Sequence, residues 1–159
     1  MFQKFFEVTA RKMVFDMKKR FRFLEHTADA YVEAYGGSLE EAFENAAAAM
    51  TDVMTELEKV EAQNEEIFVV EAPDEPALLY SWLEEVLLEF ELKGKLYSRF
   101  EISSIEETSG GFRLHAKAWG ENYDSGKHPS KVGIKAATYH RMEILKEPES
   151  VILRFILDI

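Results

Sequence analysis

The sequence predicts an α+β fold: a single domain in which two main helices pack on a largely antiparallel sheet. Two observations carry this. Two segments repeat their apolar residues at helical spacing, and six or seven others alternate or run apolar over strand lengths. These segments are grouped rather than interleaved, which disfavours a parallel β-α-β array. With 159 residues, 47% of them hydrophobic, the chain suffices for one sizeable core.

Residues 1–20 show no clean period. Phe2, Phe5, Phe6 and Val14 would share one side of a short helix, but this segment is expected to be a loose leader, with the folded domain running from 21 to 159. A first strand pair follows around Phe21–Leu24 and Tyr31–Tyr35, the second closed by Gly36-Gly37. Between them lies the small, polar His26-Thr27-Ala28-Asp29. Asp29 there suits a turn cap, a metal ligand or a general base.

Ser38-x-x-Glu41 is a capping box, and Leu39, Ala42, Phe43, Ala46, Met50 and Val53 continue at helical spacing. The four alanines from Ala46 let that helix lie close against a neighbour. After an acidic connector, Ile67–Val70 reads as a short strand. Asp74 caps a second helix from about Ala77 to Leu92, with Trp82 on its apolar stripe and Gly94 at its end. Phe100–Ile105 and Phe112–Trp119 form a hairpin about Ser109-Gly110-Gly111. Lys131–Leu145 reads as one long alternating strand, with Lys131, Lys135, Tyr139 and Arg141 on one face. Val151–Ile159 is almost continuously apolar and is expected to be a central strand buried on both sides.

Charge and composition narrow the function. The formal net charge is −11, yet the first 22 residues hold seven Lys or Arg and two acids, so the surplus of acid lies in the body. An acidic body repels phosphate backbones, and direct, specific nucleic-acid binding is not expected. No cysteine is present, which removes disulfides, thiolate nucleophiles and cysteine-zinc sites. No apolar run approaches the roughly 20 residues of a membrane helix. A cytoplasmic protein without membrane association is expected. No glycine-rich phosphate loop or serine elbow appears, and His26, His115, His128 and His140 are scattered. One placement stands out: Asp158 and the carboxylate of Ile159 close an apolar strand, and buried charge of that kind needs a partner. Lys135 or Arg141 can supply it. So can a hard cation with Asp29 as a further ligand.

The ordered set His26-Thr27-Ala28-Asp29, Ala34-Tyr35-Gly36, Leu39-Glu40-Glu41-Ala42-Phe43, Leu78-Leu79-Tyr80-Ser81-Trp82-Leu83, Gly120-Glu121, Lys135-Ala136-Ala137-Thr138-Tyr139-His140 and Ile156-Leu157-Asp158-Ile159 resembles the archease family. It spans about Phe21 to Ile159. Ala30 departs from it, since the family often has glycine or another small residue there, and the N-terminal extension lies outside it. The resemblance implies a non-enzymatic accessory protein for the RtcB-type tRNA-splicing RNA ligase, one that promotes guanylylation of the ligase by GTP and repeated turnover. It implies a divalent metal, calcium in particular, held by Asp29, Asp158 and Ile159. It implies that Lys135 takes part in activation, with His26 beside it. Competing readings are a chaperone-like or RNA-modification adaptor and, with less support, a metal-dependent hydrolase using Asp29 and His26.

Overall fold

The computed structural model describes residues 19–25 and 29–159. The elements, in order, are β1 (Phe21–Leu24), β2 (Ala30–Gly36), α1 (Leu39–Met54), β3 (Asn64–Ala72), α2 (Glu75–Lys93), β4 (Lys95–Thr108), β5 (Gly111–Asn122), β6 (Ala136–Ala137), β7 (Glu143–Glu147) and β8 (Ser150–Asp158). Every described strand pairing is antiparallel, as expected, but the strands divide between two sheets rather than one. The first sheet runs β1-β2-β8, with β6 and β7 both on the far side of β8. The second runs β3-β5-β4. The leader expected over residues 1–20 lies outside the described residues, apart from Lys19 and Arg20.

α1 explains how two sheets share one core. It packs on β2 and β8 of the first sheet and on β4 of the second. Ala46, Ala47, Ala48 and Ala49 all have zero exposure, so the helix is enclosed rather than laid on a surface. Alanine at four successive positions lets backbone approach on every side. Ser38 caps α1 by accepting a bond from the Glu41 amide at 3.1 Å.

α1 also satisfies backbone groups that β4 leaves open. The β4–β5 register slips between Tyr97 and Arg99 and again between Ile102 and Ser104. Irregularities of this kind strand backbone groups without ladder partners. The Thr51 hydroxyl donates to the Tyr97 carbonyl at 2.7 Å, and the Ile102 amide donates to Glu44 Oε2 at 2.8 Å. At the first slip Gly120 lies opposite Tyr97, and a Cβ there would stand 1.8 Å from the Leu96 carbonyl oxygen. Only glycine fits that approach.

α2 starts at Asp74, whose Oδ1 accepts from the Ala77 amide at 2.8 Å, and ends at left-handed Gly94 (φ 65°). Its stripe is core, as the sequence suggests. Trp82 is fully buried, meets Phe68 and Phe100 edge-on at 5.5 and 6.0 Å, and donates from Nε1 to the Phe43 carbonyl at 3.0 Å.

One element departs from its expectation. Residues 131–145 do not form a long strand. They form a strap, then the two-residue β6, then a turn, then β7. Burial does not alternate along it: Ile134 and Ala137, three positions apart, enter the core, while Val132 is exposed. The strap's hydrogen bonds go to several different elements rather than along one neighbour. The Lys131 amide donates to the Met54 carbonyl, Lys135 to Asp158, Ala137 to Glu84 Oε1 and Thr138 to Ile156. Arg141 sits in the left-handed region at φ 55°, which ends any strand.

Candidate functional site

β2 and β8 run antiparallel, and their last pair is Ala30 opposite Leu157. Asp29 and Asp158 are the next residues on each strand, so the register brings them side by side at one end of the first sheet. On the other side of β8, Asp158 pairs with Ala136, and the Lys135 amide donates to the Asp158 carbonyl at 2.7 Å. The four residues Asp29, Asp158, Ile159 and Lys135 therefore gather at one rim from three stretches distant in sequence. Asp29, Asp158 and Ile159 are partly buried, and Lys135 is exposed. His26 lies outside the described residues.

Asp29 and Ile159 also line a pocket of about 310 Å³ with Phe23, Tyr31, Val53 and Val132, which makes its walls largely apolar. Asp52 and Lys131 also line it. Lys131 is committed there: Nζ donates to the Asp52 carbonyl at 2.8 Å and lies 3.7 Å from Asp52 Oδ1. α1 has no basic residue in its last turn, so Lys131 supplies from the strap the positive charge that a helix C-terminus favours.

These positions correct the basic strip expected for one strand face. Lys131 is tied to the end of α1, Arg141 lies in a turn, and Lys135 is held through its backbone. Neither Lys135 nor Arg141 pairs its side chain with Asp158 among the described contacts. The internal salt bridge considered for Asp158 is not formed.

The donor chemistry at the rim fits a hard divalent cation. Two carboxylates, those of Asp29 and Asp158, come to the ends of adjacent strands, both oxygen donors of the type calcium takes. Among the described residues no group of three or more His, Asp or Glu side chains is gathered closely enough to hold a metal. Two carboxylates alone leave most of the roughly six to eight oxygen positions of a calcium ion to other groups.

A second constellation escaped the sequence reading. Glu33 on β2 is only 2% exposed, yet it is ringed by donors. Its Oε1 accepts from Arg22 Nε at 2.7 Å and from the Tyr35 hydroxyl, and its Oε2 accepts from Arg154 Nε at 2.6 Å. Arg154 also bonds Glu143 at 2.8 Å. Burial pushes the Glu33 carboxyl up, but the bonds from Tyr35, Arg154 and Arg22 outweigh it and hold the group below the ordinary carboxylate range. The network crosslinks β1, β2, β8 and β7 within one sheet. Its signal in the sequence is a charge in the middle of each of two apolar strands, Glu33 in β2 and Arg154 in β8.

Fold and rim together define a class: a small α+β protein with one helix enclosed between two antiparallel sheets and carboxylates gathered where adjacent strands end. The chain belongs to the archease protein family (MTH1598/TM1083), which matches residues 21–159. The archease of Sulfurisphaera tokodaii is 40% identical over 141 residues, covering 89% of this chain and 99% of that protein. The archease of Pyrococcus abyssi is 45% identical over 131 residues, covering 82% and 92%. The solution structure of protein 1598 from Methanobacterium thermoautotrophicum superimposes with a TM-score of 0.74 at 40% identity, over 88% of this chain and 99% of that one. Among the described residues no helix is long and apolar enough to cross a membrane.

Proposed function

We propose that this protein is a non-enzymatic, cytoplasmic accessory factor of the tRNA-splicing RNA ligase, promoting its GTP-dependent guanylylation and multiple turnover. The observation that carries the reading is the family match across residues 21–159. The meeting of Asp29 and Asp158 at one sheet end supports the metal part of it. In this proposal Asp29, Asp158 and the Ile159 carboxylate hold calcium or another divalent cation. Bound there, the cation would neutralise the carboxylates and offer open coordination positions to oxygens of the partner. Lys135 contributes an exposed ammonium anchored by its own backbone bond to Asp158, so the charge is positioned without being spent on an internal acid.

The test is a guanylylation assay with labelled GTP, purified ligase and this protein. Faster labelling and repeated turnover are expected in its presence, and equal rates with and without it defeat the reading. Lys135→Ala is expected to lower the stimulation roughly tenfold or more while leaving the melting temperature unchanged, because an exposed side chain contributes little to stability. Asp29→Ala and Asp158→Ala are each expected to weaken calcium binding by roughly tenfold or more in calorimetric titration, since each removes one of few charged ligands. Unaltered calcium heats in both variants would remove the metal from the proposal.

A further inference from the structure

The described Lys and Arg side chains are almost all committed. Lys59, Lys93, Lys95, Arg99, Arg113 and Lys117 each meet a glutamate within 4 Å, and Arg22, Lys127, Lys131, Lys146 and Arg154 likewise hold acids. Arg20 bonds Asn45, and Lys19 has a partner of its own. Two remain among the described residues with no ion pair or hydrogen bond from the side chain: Lys135 and Arg141. They lie six positions apart on the same short segment of a protein of net charge −11. Between them Tyr139 is 54% exposed, with its ring stacked on Tyr80 of α2 at 4.5 Å and 10°.

The segment is built to hold this arrangement. Its root is fixed by Lys135 to Asp158, Ala137 to Glu84 and Thr138 to Ile156, the last through both amide and hydroxyl. Its tip is a turn closed by the Met142 amide on the Tyr139 carbonyl at 3.1 Å. Arg141 occupies that turn at φ 55°, a conformation costly for a residue with a Cβ. Three acids near it are already engaged: Glu84 with the Ala137 amide, Asp74 at the α2 cap and Glu143 with Arg154. Tyrosine and arginine on a pre-ordered surface are the residue types that dominate protein interfaces.

We infer that the turn Lys135–Arg141 is the docking knob of this protein, inserting Tyr139 and Arg141 into an acidic recess of its protein partner. The inference rests on the accessory-protein reading and gives it a contact surface. A small-molecule site is disfavoured because such sites are concave, whereas these side chains crown an exposed turn. Extended nucleic acid is disfavoured by the acidic body around it.

The test measures affinity of purified ligase for the full chain by calorimetry, at low and at physiological salt. Tyr139→Ala and Arg141→Gly are the informative variants, because glycine removes the side chain while suiting the turn. Each is expected to raise Kd at least about tenfold, with the Arg141→Gly loss shrinking as salt rises. Calcium titration should be unchanged in both, which separates loss of the knob from loss of the rim. Wild-type affinity within about twofold in both variants overturns the inference while leaving the ligase reading intact. Absence of binding by the wild-type chain overturns both. Titration with single-stranded RNA is the remaining arm: tight binding abolished by Tyr139→Ala would make the turn a nucleic-acid surface and also overturn the inference.

Discussion

Replacing Trp82 by alanine is expected to cost about 3–5 kcal/mol of stability. The side chain is fully buried and sits where α2 meets the second sheet, edge-on to Phe68 of β3 and Phe100 of β4. Truncation removes both ring contacts and leaves a cavity in packing that includes Leu79 and Leu83. It also strips the Phe43 carbonyl of the Nε1 donor, so a buried acceptor on α1 loses its partner. Trp82→Phe separates the terms, since it restores most of the volume without the donor and should recover more than half of the loss. Equilibrium urea unfolding measures both. A loss below about 1 kcal/mol for alanine would mean that Trp82 is not a core anchor.

The Glu33 network carries the other large effect, and it carries a pH dependence. Glu33→Ala leaves Arg22, Arg154 and the Tyr35 hydroxyl without their shared acceptor. Both arginines are about a third exposed, so water relieves part of the loss, and a cost of about 1–3 kcal/mol is expected. The folded carboxyl lies below its unfolded value, so its contribution is present above the unfolded pKa. That contribution is lost as pH falls through the folded pKa. Stability of the wild type should therefore drop on acidification through the carboxylate range, and Glu33→Gln, which keeps the shape but cannot ionise, should flatten that limb. Melting temperatures from pH 7 to pH 3 decide it. An identical acid slope in wild type and Glu33→Gln would show that Glu33 does not titrate against folding.

Local signals carried most of the elements. The Ser38 cap, the Asp74 cap and the Gly94 stop are short-range chemistry, and each functions as its residue type demands. The apolar run from Val151 became an interior strand because β2 lies on one side of it and β6 and β7 on the other. The division into two sheets was not legible, since nothing in a strand's own pattern says which distant strand it joins. The same limit explains the strap at 131–142. The alternation of residue types there does not become alternating burial, because the segment is anchored to α1, α2 and β8 in turn, and only the three-dimensional neighbours reveal that. At the candidate site, Asp29 and Asp158 were singled out in the sequence as potential co-ligands, and the register of β2 on β8 brings them side by side. The mid-strand charges at Glu33 and Arg154 were equally visible but gain meaning only through pairing across adjacent strands.

That pairing has a consequence in time. Glu33 and Arg154 are 121 residues apart in the chain, so β2 cannot be closed by β8 until nearly all the intervening sequence exists. The second sheet is assembled from β3, β4 and β5 and needs no segment beyond Asn122. At translation rates of roughly 5–20 residues per second, β2 emerges some 6–24 seconds before its partner. Throughout that interval one edge of β2 is a bare strand with unpaired amides, and Glu33 carries its charge without the arginine that later covers it. A charged residue in the middle of such an edge hinders pairing with a foreign strand. The group that later fastens the finished sheet thus also guards the nascent one during synthesis.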